Sequence, residues 1–197
     1  MISNDLNIFL ILFSAMVVNN ILLMRFIALC SFFGISNSLK TSMGMGMAVV
    51  FVMLMATAVS WPVYHFILVP LNLVYLRTAA FILTIATFVQ LEEMFIRRMF
   101  PPLYRALGIY LPLIVVNCAV LAAAFLCIDY KLDFGRSIVY TAGVSFGYFI
   151  AIVMFAAIRE VVDHAPVPAL FKGHPIAFIT ASLMSLAFLG FKGMFGL

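Results

Sequence analysis

Charge is what this sequence has least of. Asp, Glu, Lys and Arg make up 9% of its 197 residues and hydrophobic residues 66%, whereas a soluble domain carries about 25% charge. So little polar surface cannot cover a water-soluble globule, and an integral membrane protein is expected. Cysteine is scarce too: three residues, all in or beside apolar segments, do not make the disulfide framework of a small secreted domain. A basic n-region is missing from "MISNDLNIFL", and the apolar run from Leu6 to Met24 is long enough to span, so the first segment is expected to be retained and not cleaved as a signal peptide. The histidines, His65, His164 and His174, fall at interfaces or in loops, which argues against haem. Phosphate loops, nucleophile–base pairs and zinc spacings are also missing. The net charge of +4 is spread over the loops and carries orientation information, with no nucleic-acid patch.

What is there is a series of charge-free runs, at 6–24, 41–76, 78–91, 106–128, 137–158 and 173–191. They do not alternate at period two, which excludes barrel strands and leaves helices. "WPVYHF" at 61–66 places Trp, Tyr and His where a water interface would end the long second run. The expected spans are 6–28, 43–63, 73–95, 106–127, 137–158 and 174–193, an all-α integral membrane fold of six transmembrane helices in one domain, 1–197.

The halves resemble each other. "VVNN" at 17–20 matches "VVNC" at 115–118, "VM" at 52–53 matches "VM" at 153–154 with Gly46 falling on Gly147, and "AFI" at 80–82 matches "AFI" at 177–179. Three spans per half bring the second copy in from the opposite face, so two inverted repeats, about 1–98 and 99–197, are expected, with sites near the midplane on broken helices. Helices one and four are the expected irregular ones. A straight helix from Leu6 to Ile35 would outrun the bilayer core, so the chain breaks near Asn19 and Asn20 or re-enters at 26–35. Pro112 removes a backbone donor shortly before Cys118. Lys40, Arg97, Arg98, Arg105, Arg159 and Lys172 outnumber Arg77, Lys131, Arg136 and Lys192 on the other side. Both termini are therefore expected on the non-cytoplasmic face.

Cys30 and Cys118 sit beside those irregularities. Free cysteine is commonly a small buried hydrophobe, but a thiolate pair can also hold part of an iron–sulfur cluster, which takes four protein ligands and hence a second chain. On the residues alone both readings stand. Cys127 reads as packing. Asn19, Asn20 and Asn117 need hydrogen-bond partners in hydrocarbon and are candidates for shaping a site. Glu92 and Glu93 end span three; Arg97, four residues after Glu93, makes a surface pair the simpler reading and ion coupling the alternative. Inverted repeats with midplane asparagines would equally suit a small secondary transporter.

The stretches "LCSFFGIS" at 29–36, "MGMGMAVVFVM" at 43–53, "PLNLVYLRTAAFIL" at 70–83, "LYRALGIYLPLIVVNCAVL" at 103–121, "AAIRE" at 156–160 and "ITASLMSLAFLGF" at 179–191 resemble the A subunits of Rnf electron-transport complexes, which are similar to the E subunits of sodium-translocating NADH:quinone oxidoreductases. The resemblance runs along essentially the whole chain. It implies a multi-pass subunit of the bacterial inner membrane that pairs with a homologous, oppositely oriented E subunit, and works with subunits B, C, D and G in moving electrons between NADH and ferredoxin coupled to sodium or proton transport. It further implies that Cys30 in "ALCSFFG" and Cys118 in "VVNCAV" bind the iron of a [2Fe-2S] cluster shared with the E subunit, with no turnover from the isolated chain. Ser31 stands where many relatives have proline, and Cys127 matches no ligand of that family.

Overall fold

The computed structural model describes residues 8–18, 20–36, 38–70, 76–99, 117–166, 168 and 171–195. These residues fold as helices, and no strand occurs among them. Two 30-residue helical stretches with mean hydropathy 2.0, Leu39–Leu68 and Phe134–Asp163, are long and apolar enough to cross a membrane. Shorter apolar stretches are Thr78–Leu91, Cys118–Asp129 and His174–Gly190.

The first segment is broken twice. Helix α1 (Ile8–Phe13) widens into a π-type turn at Ser14–Val18, and α2 (Ile21–Arg25) restarts from Asn20, whose side chain accepts from the Leu22 and Leu23 amides. A second break follows at Phe26 and Ala28, both left-handed at φ 52° and 71°, before α3 (Leu29–Ile35). Left-handed backbone at a residue with a Cβ costs about 1–2 kcal/mol, so tertiary contacts must hold this detour in place. The expected break near Asn20 and the separate course of 26–35 are thus both present, and a straight helix over 6–28 is not.

Helix α4 (Leu39–Val63) continues through a π-type turn at Tyr64–Leu68, longer than the expected 43–63. The interfacial aromatics do not end it. Pro62 lacks the N–H that would continue the ladder, and the helix answers with a wider turn directly after it. Then come α5 (Arg77–Met99), α6 (Cys118–Asp129), α7 (Phe134–Asp163) and α8 (His174–Phe195). Pro112, Arg105 and the first half of the expected fourth span lie outside the described residues.

Helix directions can be read from the contacts. Gly46 faces Phe149 and Ile152 while Thr141 donates to Thr57 over 3.1 Å, so α4 and α7 are antiparallel. Along α7, Gly143 meets Leu12, Gly147 meets Met16 and Asn20, and Arg159 meets Phe33 and Ser36. The broken first segment therefore runs with α7. Helix α6 runs against it, since Cys127 reaches back to Ser137 and Thr141. A Cβ on Gly143 or Gly147 would come within 2.7 Å of the Leu12 oxygen or 2.6 Å of the Met16 oxygen. These two glycines let backbones touch, the usual way helices associate in lipid. The core between α4 and α7 is Val49, Val52, Met53, Tyr148, Ile152 and Phe155, sealed by Phe81, Ile85 and Val89 of α5 and Ala177, Ala181 and Met184 of α8.

Candidate functional site

Cys30 lies in the first turn of α3, exposed, beside the strained Ala28. The next residue faces inward: Ser31 is fully buried, its hydroxyl donating to the Ala28 carbonyl at 3.0 Å and standing 2.8 Å from the Tyr148 hydroxyl. A proline there could make neither bond, so the departure at Ser31 is absorbed by a tyrosine on α7. The serine proton is committed to Ala28, which leaves Tyr148 as the donor in the second bond.

Cys118 opens α6. Asn117 before it is extended, and its side-chain oxygen accepts from the Ala119 amide at 3.0 Å, capping the helix. Such a cap is worth about 1 kcal/mol, and it forces the chain to enter α6 at the cysteine. Cys118 is exposed while Ala119 and Val120 are buried.

The two thiols, far apart in sequence, are close enough to act on each other electrostatically, and both stand near the Tyr148 hydroxyl. Tyr148 is at the midpoint of α7 (Phe134–Asp163), the more regular of the two long apolar helices. The pair is therefore at mid-depth of the apolar bundle, facing outward. Among the described residues no group of three or more His, Cys, Asp and Glu side chains gathers, so this chain offers two soft sulfur donors there. Two thiolates suit one edge of an iron–sulfur cluster and leave the remaining coordination to another chain.

Cys127 is placed differently. It is buried, 3.3 Å from the Thr141 hydroxyl and 3.6 Å from the Ser137 carbonyl. Nine residues along α6 from Cys118 amounts to roughly 13 Å, too far to join the pair. Asn20 is also buried, but it ties the first break to α7, donating to the Gly147 carbonyl at 2.8 Å. Asn19 and the side chain of Glu92 lie outside the described residues. Glu93 is half-buried on α5 and Arg97 is exposed one turn on.

Two residues that matter here were not singled out from the sequence. Tyr148 stands in the middle of an apolar run, where a phenol needs a partner. Arg159, counted above as a loop charge, is 8% exposed on α7, and donates to the Phe33 carbonyl at 3.1 Å and the Ser36 hydroxyl at 2.8 Å. It holds the C-terminal end of the helix that carries Cys30, so it does not belong in the loop-charge comparison. The apolar "AAI" directly before it was the available signal.

Two cavities among the described residues lie elsewhere. One of about 840 Å³, lined by Trp61, Tyr64, His65, Lys131, Asp133 and Arg136 among others, lies at one polar end, and one of about 520 Å³ with Lys40, Glu160, Asp163 and His164 at the other. Neither includes a cysteine.

Residues 8–195 match the family described as "Rnf-Nqr subunit, membrane protein". The chain is 51% identical to a protein of Aeromonas salmonicida over 94% of its length and 96% of the relative's. It is 50% identical to one of Syntrophotalea carbinolica over 95% and 97%, and 52% identical to one of Cronobacter sakazakii over 94% and 97%. All three relatives are named as the A subunit of an ion-translocating oxidoreductase complex.

Proposed function

This chain belongs to the Rnf-Nqr family of membrane subunits, and from that premise we propose that it is a membrane subunit of an Rnf-type complex moving electrons between NADH and ferredoxin, with Cys30 and Cys118 as two of the four ligands of an intramembrane [2Fe-2S] cluster. The observation that carries the reading is the thiol pair, brought together at mid-depth with both sulfurs at the surface. When bound, the cluster would supply a one-electron relay inside a hydrocarbon core of about 30 Å.

The chain's own residues do the holding. Cys30 and Cys118 would bind as thiolates. Ser31 and Tyr148 fix the start of α3, Arg159 fixes its end, and Asn117 fixes the start of α6. The apolar packing of α4, α5 and α8 behind them keeps water out.

The opposite senses of α4 and α7, and of the first segment and α6, support two inverted three-helix repeats forming six spans. The two remaining thiolates would come from a homologous E subunit of opposite orientation, within a complex that includes B, C, D and G subunits in the bacterial inner membrane, both termini of this chain facing away from the cytoplasm. Ion movement is the work of the whole complex and turnover is absent from the chain alone. Iron and acid-labile sulfide analysis with EPR of the purified complex, with and without Cys118→Ser, tests the reading: a [2Fe-2S] signal that disappears in the variant supports it, and an unchanged metal content sinks it.

A further inference from the structure

Asn117 is 3% exposed, and only one side of its amide is used. Its oxygen is identified by the bond it accepts from the Ala119 N–H, which leaves the nitrogen pointing away from the helix it caps. That buried Nδ2 has no hydrogen-bond acceptor among the described residues. It approaches the Tyr148 hydroxyl, the group that also stands beside both thiols, without a well-formed bond. An amide carries two N–H donors, so even a bent contact with Tyr148 leaves one proton unused. A buried donor without an acceptor is costly. This one sits on the residue directly before Cys118, in the same small polar group as Cys30, Ser31 and Tyr148.

We propose that the Asn117 amide is a donor held for the sulfur atoms of the metal group that Cys30 and Cys118 would bind, and that it raises the reduction potential there. The inference rests on the function proposed above. Reduction adds negative charge to the sulfurs, so an N–H that turns to them once the group is bound would stabilise the reduced form more than the oxidised one. Capping of α6 alone would need only the side-chain oxygen and would leave the potential untouched.

The two roles can be separated in the assembled complex. Asn117→Ser and Asn117→Asp both keep a side-chain oxygen suited to the cap and both remove the N–H. Iron and sulfide content and an EPR-monitored redox titration are measured for each. The expected result is cluster content close to that of the unmodified complex with a midpoint potential shifted negative, and shifted further for Asn117→Asp, which also adds a negative charge. An unchanged midpoint at full cluster content overturns the inference. Loss of the cluster from both variants overturns it too, because the residue would then act through the fold. A complex without any cluster signal before substitution defeats the underlying reading instead, and is seen before any variant is made.

Discussion

The Tyr148 hydroxyl donates to the hydroxyl of Ser31 across 2.8 Å, and Ser31 donates its own hydrogen bond to the Ala28 carbonyl. Through this relay the middle of the longest unbroken apolar helix grips the left-handed turn that sets the position of Cys30. Tyr148→Phe keeps the ring and its packing and removes only the grip. A buried hydrogen bond of this kind is worth about 1 kcal/mol net. The variant should assemble, with a small loss of thermal stability and a broadened or shifted EPR signal from the cluster. An unaltered spectrum would mean that the relay does not position Cys30.

Arg159 works on the other end of the same short helix. Its two bonds, to the Phe33 carbonyl and the Ser36 hydroxyl, are charge-assisted and at least partly buried, each worth about 1.5–3 kcal/mol. Arg159→Met should lower the thermal unfolding midpoint of the complex and reduce cluster content. Arg159→Lys keeps the charge but carries it as a compact ammonium on a flexible stem in place of the planar guanidinium, and should fall between Met and the native residue. Equal behaviour of Met and Lys would show that charge and geometry at this site are unimportant.

Gly147 tests the close approach of the first segment to α7. In an exposed helix, Gly→Ala stabilises by about 1 kcal/mol. Here the added carbon would sit 2.6 Å from the Met16 carbonyl oxygen, a backbone atom that can yield only by moving the helix, and overpacking of this kind costs about 1–3 kcal/mol. Gly147→Ala should therefore destabilise the complex, read as a lower midpoint in a thermal unfolding series. A rise in stability would mean that the two backbones are not in contact.

The three cysteines are expected to separate cleanly. Cys30→Ser and Cys118→Ser should each abolish or strongly perturb the [2Fe-2S] EPR signal and stop electron transfer between NADH and ferredoxin, since a hard oxygen replaces a soft sulfur. Cys127→Ser changes one atom in a buried site already lined by the Thr141 hydroxyl and Ser137 carbonyl. It should leave spectrum and turnover intact and cost at most about 1 kcal/mol. Uniform behaviour of all three variants would return the cysteines to the role of ordinary packing residues.

How much of this was legible in the residues depended on the range of the physics involved. Hydropathy is local and additive, so the membrane setting, the helical class and five of the apolar segments were readable directly. The weakness of the chain near Asn20 was also readable, because asparagine and an overlong run are local signals. The outcome at Pro62 was not. Whether a proline ends a helix or widens its next turn depends on what packs around that turn, and here Phe81 of α5 lies against Tyr64.

The sequence by itself determined the solvent, the helices and the identity of two unusual thiols. The tertiary structure alone decided that Cys30 and Cys118 meet, that Cys127 stays apart, and that Arg159 leaves the loop charges to hold a broken helix. The reason is that these pairings join residues of opposite halves, or of distant segments. No pattern along one stretch of chain records which other stretch will lie against it.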